Sequence, residues 1–146
     1  MKFNKLMDGI AVLCMVLILV LVVAQVVMRY VFNSPLTWSE ELAVFVMIWL
    51  TFIGSLICMR DNEHIEVTIL VDHMPRALQR IVMVFSRLAS IFFLLVVVYY
   101  GFELVMENVG VTSVANQISM GLVYTIIPLS SLGMVYYLIR AIVKGE

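Results

Sequence analysis

Few side chains in this sequence are suited to chemistry, and the carboxylates among them come in pairs. Glu40 and Glu41 are adjacent, Glu103 and Glu107 are four residues apart, and Arg29 is a lone cation shortly before the first pair. Two carboxylates a helical turn apart could share acid and base roles or hold a cation. Glu103 and Glu107 have no His, Cys or further carboxylate in evident company, so they read as a solvated helix end or as part of a partner-facing surface. Glu40 and Glu41 leave two uses open: an internal ion pair with Arg29, or contact with a partner. His64 and His73 lie in a polar link rather than in an apolar run, where a membrane haem would need its ligands. Cys14 and Cys58 sit inside apolar runs and read as small packing residues rather than a disulfide. No catalytic, cofactor-binding or metal-binding residue is assigned on this basis.

The elements that must position these groups are membrane helices. The 146 residues are 64% hydrophobic and 13% charged, against about 25% charge in an ordinary soluble domain. Apolar runs cover residues 10–28, 42–59, 88–102 with apolar flanks, and 121–139. Backbone polar groups in lipid have to be satisfied within their own segment, so each run should be helical. The expected fold is an all-α integral membrane protein, a single four-helix domain over 1–146 with transmembrane spans near 9–32, 38–60, 80–106 and 120–142. The spans and their short links leave no room for a soluble domain, and nothing points to nucleic acid.

Basic residues set the expected orientation. Lys2 and Lys5 precede the first span, Arg60, Arg76, Arg80 and Arg87 surround the middle link, and Arg140 and Lys144 follow the last span. Only Arg29 falls on the opposite side, which makes both termini and the middle link cytoplasmic. Lys2, Lys5 and the Val22-Val23-Ala24 step also resemble a cleavable leader. Apolar character nevertheless runs through Met28, as it does in a full span, so an uncleaved first helix is expected.

Pro35 disfavours helix at Ser34, so the first helix should stop near Phe32 or Asn33. Thr37, Trp38, Ser39 and Glu40 match a capping box, which starts the second helix at Trp38 with that indole in the interfacial belt. Glu40 and Glu41 in the first turn also suit the helix dipole. Along the second span, Trp38, Leu42, Phe45, Trp49 and Phe52 form one aromatic stripe. Glu40, Val44, Met47, Thr51, Gly54, Ser55 and Cys58 lie opposite. Either the small face packs within this chain while the aromatic face meets lipid, or the aromatic face docks on another membrane subunit.

The segment from Arg29 to Ala43 reads Arg-Tyr-x-Phe-x-x-Pro-Leu-x-Trp-Ser-Glu-Glu-Leu-Ala. It resembles the signature of the small, DctQ-type subunit of TRAP transporters. Phe52-Ile53-Gly54, His64-Ile65-x-Val67, Pro75, Tyr124 and Pro128 fit in order, so the likeness covers nearly the whole chain. The resemblance implies a small scaffold subunit of a sodium-coupled importer in a bacterial or archaeal cytoplasmic membrane. It implies two partners besides the lipid bilayer: a large membrane subunit that carries substrate and sodium ions, and a periplasmic protein that delivers an organic, carboxylate-type anion. No cofactor is expected in the small subunit. Gln25, Arg29, Phe45, Trp49 and Phe52 become candidates for the subunit interface. Arg29, Trp38, Glu40, Glu41, Glu103 and Glu107 become candidates for periplasmic docking or, in the hairpin, for an ion pair.

The residues agree with an accessory role. Thr51, Ser55, Ser90, Thr125, Ser130 and Ser131 are sparse mid-span polar groups, not a dense set of ion acceptors. Pro128 could kink the last span. Residues 64–71 alternate like a strand, yet a short interfacial helix suits a membrane surface better. After Pro75 the third helix could run over 76–108, with Arg76, Arg80 and Arg87 snorkelling to headgroups. Two other classes remain open: a membrane anchor of a respiratory complex, with or without haem, and a small oligomeric exporter.

Overall fold

The computed structural model describes residues 2–61 and 76–144. Its helices are α1 (Lys2–Tyr30), α2 (Thr37–Arg60), α3 (Arg76–Asn108), α4 (Met120–Tyr124) and α5 (Ile126–Lys144). Among the described residues the regular elements are all α-helical, and four segments are long and apolar enough to cross a membrane: Asn4–Tyr30, Thr37–Arg60, Val84–Asn108 and Met120–Ile142. The expected link helix, with His64, His73 and Pro75, falls outside the described residues.

α1 stops at Tyr30, slightly before the expected end. The amide of Val31 still reaches the carbonyl of Val27, and that of Ser34 reaches back to Met28 at 3.1 Å. Asn33 makes this return possible by adopting a left-handed conformation, φ 50°, which asparagine tolerates better than most residues. Pro35 then keeps the chain extended until α2 begins.

The fourth span is broken. α4 ends at Tyr124, Thr125 serves as its cap, and α5 resumes at Ile126. Pro128 is the cause, because it has no N–H to donate to the Tyr124 carbonyl and its ring crowds that turn. Local hydroxyls add bonds to carbonyls beside the break: Thr125 Oγ1 donates to Leu122 O at 2.6 Å, and Ser130 Oγ to Ile126 O at 2.6 Å.

The helices pack as an open row in the order α1, α2, α5, α3, with α4 wedged between α3 and α5. Among the described helices, α1 packs substantially on α2 alone, and the fourth span is the most buried of the four. The central apolar cluster is Met59, Leu94, Met134, Val135 and Leu138, where α2 and α3 flank α5. Glycines set the spacing at two crossings. A Cβ on Gly121 would lie 2.9 Å from the Val109 backbone, and one on Gly133 would lie 2.8 Å from a Leu56 methyl. The first neighbour is main chain and cannot yield, whereas the second is a flexible side-chain tip.

The first reading of α2, with the small face packed inside and the aromatic face toward lipid, needs correction. Phe45 is buried and Trp49 half-buried, while Val44, Met47, Thr51, Ser55 and Cys58 are exposed. Phe45 and Trp49 of the aromatic stripe therefore pack within the chain while Trp38 stays exposed, and the small, weakly polar face points outward. Gly54 confirms the direction, since a Cβ there would meet nothing within 4 Å.

Candidate functional site

Of the polar groups singled out from the sequence, Glu41 is drawn into a bonded site at the end of the molecule that carries the α1–α2 hairpin. α2 enters there without the expected capping box. Its N-cap is Leu36 and no side chain caps it, so Thr37 is already helical and cannot serve the amide of Glu40. The Glu40 and Ser39 amides turn back to Leu36 O instead, and the buried Ser39 hydroxyl donates to the same carbonyl at 3.1 Å. This shift lets Trp38 and Glu41, three residues apart on one helix face, address a loop far along the chain.

That loop joins α3 to α4 and is shaped by its own bonds. The Ser113 amide donates to Ile118 O at 2.8 Å, the Met120 amide to Val111 O at 2.8 Å, and Ser119 Oγ to Val109 O at 2.9 Å. Gln117 takes φ 55° to close the turn. Three successive amides are left pointing at one carboxylate. Val114 N lies 3.0 Å from Glu41 Oε1, Ala115 N lies 3.2 Å from both oxygens, and Asn116 N lies 3.0 Å from Oε2. Asn116 Nδ2 adds bonds to Glu41 Oε2 at 3.1 Å and to the Trp38 carbonyl at 2.8 Å. Consecutive main-chain N–H groups form a concave anion seat, and here the anion belongs to the protein itself.

An Arg29–Glu41 ion pair is accordingly not formed, because the loop amides saturate both Glu41 oxygens. Arg29 and Glu40 are exposed and Trp38 is 47% exposed, leaving these three at the surface of the hairpin end. Gln25 and Phe52 are half-buried. Glu103 and Glu107 are exposed on α3 and do not join the Glu41 seat.

Trp49 is used internally. Its indole N–H donates to Val123 O at 3.1 Å, in the last turn of α4 just before the Pro128 break. A membrane-buried indole needs such a partner. Beside it, Leu17, Phe45, Trp49 and Leu122 line an apolar cleft of about 260 Å³ between α1, α2 and α4. Phe45 and Trp49 hence support the fold as inner walls.

At the opposite end Arg60 clamps α1 to α2. Its guanidinium lies 2.8 Å from Asp8 and 2.7 Å from Asp61, and it donates to Asn4 O at 3.2 Å. The hydrogen bonds from Arg60 hold the Asp61 carboxyl below its ordinary value. In the sequence Arg60 reads only as a basic flank of the middle link. Asp8, a carboxylate at the start of a long apolar run, was the available signal, since such a group calls for a cation. Asn116 gave no signal at all.

Residues 18–145 match the family described as Tripartite ATP-independent periplasmic transporters, DctQ component. The chain belongs to this DctQ family. A Haemophilus influenzae "Putative TRAP transporter small permease protein" is 36% identical over 72 residues, 49% of this chain and 45% of that protein. The "Sialic acid TRAP transporter permease protein SiaT", also from Haemophilus influenzae, is 25% identical over 97% of this chain but only 23% of its own length. The "Sialic acid TRAP transporter small permease protein SiaQ" of Vibrio cholerae is 22% identical over 91% of this chain and 77% of that protein. The chain thus spans less than half of the first two relatives and most of the third. Its four helices long and apolar enough to cross a membrane agree with that family, and its Glu41 seat is a structural joint.

Proposed function

We propose that this chain is the small, non-enzymatic scaffold subunit of a tripartite importer, paired with a large permease that carries the substrate and the coupling sodium ions. A periplasmic binding protein delivers the substrate, an organic carboxylate anion. The observation that carries this reading is the match of nearly the whole chain to 23% of a much longer permease. In that relative the corresponding segment is part of one polypeptide with the remaining permease, so the two parts work side by side. The relatives' names point to carboxylate-bearing substrates, sialic acid and C4-dicarboxylate.

The membrane is the bacterial or archaeal cytoplasmic one, and both termini face the cytoplasm. The distribution of Lys and Arg supports this orientation. The hairpin end, with Arg29, Trp38 and Glu40 exposed, then faces the periplasm, where the binding protein arrives. The chain needs no cofactor of its own, and its rigid end joints suit a part that stays fixed while its partner moves.

Reconstitution tests the proposal. Proteoliposomes holding the large permease and this chain, supplied with loaded binding protein and a sodium gradient, should accumulate substrate. Omitting this chain should abolish uptake. Full uptake without it, or transport by this chain alone, would overturn the assignment.

A further inference from the structure

A second feature lies on α3, away from the Glu41 seat. A groove of about 530 Å³ runs along α3 beside the start of α5, with Val97, Tyr100, Leu104 and Ile127 among its walls. It falls within the spanning segment Val84–Asn108, so the bilayer reaches it. From Val96 to Glu107 it extends for about 16 Å at 1.5 Å per residue, the scale of an acyl chain. The end nearer the hairpin is rimmed by Glu103 and Glu107. Neither carboxylate has an ion-pair partner among the described residues. Tyr100 is 62% exposed and carries a hydroxyl below that rim.

We propose that this groove holds an aminophospholipid, with an acyl chain along Val97, Leu104 and Ile127 and the headgroup ammonium between Glu103 and Glu107. The argument is one of charge complementarity at a fixed depth. An acyl chain satisfies an apolar trough inside the bilayer. Two carboxylates at its mouth attract an ammonium and repel the net negative headgroup of phosphatidylglycerol. Exposed carboxylates at the end of a membrane helix attract a counter-charge at the headgroup level, and a zwitterionic aminophospholipid brings one with it.

Native mass spectrometry of the purified full chain in detergent, with dioleoyl-phosphatidylethanolamine or dioleoyl-phosphatidylglycerol added, tests this. Retention of the ethanolamine lipid should exceed that of the glycerol lipid by about fivefold, the ratio that one surface charge contact gives. Glu103→Gln with Glu107→Gln should bring the ratio close to one while leaving the protein folded. Leu104→Trp, which fills the trough, should lower retention of both lipids. Equal retention by the unmodified chain, or an unchanged ratio in the double variant, overturns the proposal. So does carbodiimide cross-linking of Glu103 or Glu107 to a lysine of a co-purified large permease, which would assign the groove to a protein helix.

Discussion

Glu41 and Asn116 are 75 residues apart in sequence and meet through two bonds, the Asn116 amide at 3.0 Å and its side-chain nitrogen at 3.1 Å from Glu41 Oε2. This contact ties the start of α2 to the loop between α3 and α4. In an open row of helices it helps hold the two hairpins together at that end, beside the Asn116 Nδ2 bond to the Trp38 carbonyl.

Glu41→Gln should loosen the loop, because an amide offers one acceptor oxygen where the seat uses two and turns a donor toward other donors. Hydrogen exchange at the amides of Val114, Ala115 and Asn116 should accelerate markedly in Glu41→Gln and further in Glu41→Ala. Glu40→Gln is the control and should leave those amides unchanged, since Glu40 is exposed and accepts no bond from the loop. Equal protection in all variants would refute the joint.

Trp49→Phe keeps most of the ring and removes the donor to Val123 O. Loss of that bond should cost about 1 kcal/mol, read as a lower unfolding midpoint of the isolated chain in detergent. Trp49→Ala should cost more, since the apolar cleft beside it widens. An interface residue would instead leave the isolated chain unaffected and weaken only its association with a partner.

Arg60→Ala should destabilise the isolated chain by roughly 1.5–3 kcal/mol, the range for bonds to charged groups, because Asp8 then lies in a spanning helix without its cation. Arg60→Lys should rescue only part, as a point charge cannot bridge Asp8 and both Asp61 oxygens at once. The Asp61 carboxyl is held below its ordinary value by Arg60, so its share of the stabilisation is present above that ordinary value. That share disappears as the pH falls through the lowered folded value. A denaturation series from neutral to acidic pH should show this loss in the unmodified chain and not in Arg60→Ala.

Gly121→Ala should be disruptive and Gly54→Ala silent. The first substitution drives a methyl to 2.9 Å from the Val109 main chain, while the second meets nothing within 4 Å. Overpacking of this kind costs about 1–3 kcal/mol, visible as a drop in the unfolding midpoint for Gly121→Ala alone. Comparable midpoints for the two variants would refute the assigned α3–α4 crossing.

The sequence by itself determined the class, the four spans and the family, because bilayer thickness and backbone satisfaction translate directly into run length. It also located the long α3 over 76–108 and the break at Pro128. It could not choose the inward face of α2. Lipid is as apolar as the interior of a membrane protein, so hydropathy carries little record of which side packs. The two sides of α2 differ in size more than in polarity, and Phe45 with Trp49 turned out to be the packed side. Polar partners were hidden for a different reason. Glu41 has a cation twelve residues upstream at Arg29, a plausible local match, yet only the folded loop shows three amides converging on its carboxylate. Main-chain donors carry no sequence label. Tertiary structure alone decided that Glu41 would close the fold and that Arg29, Trp38 and Glu40 would stay at the surface.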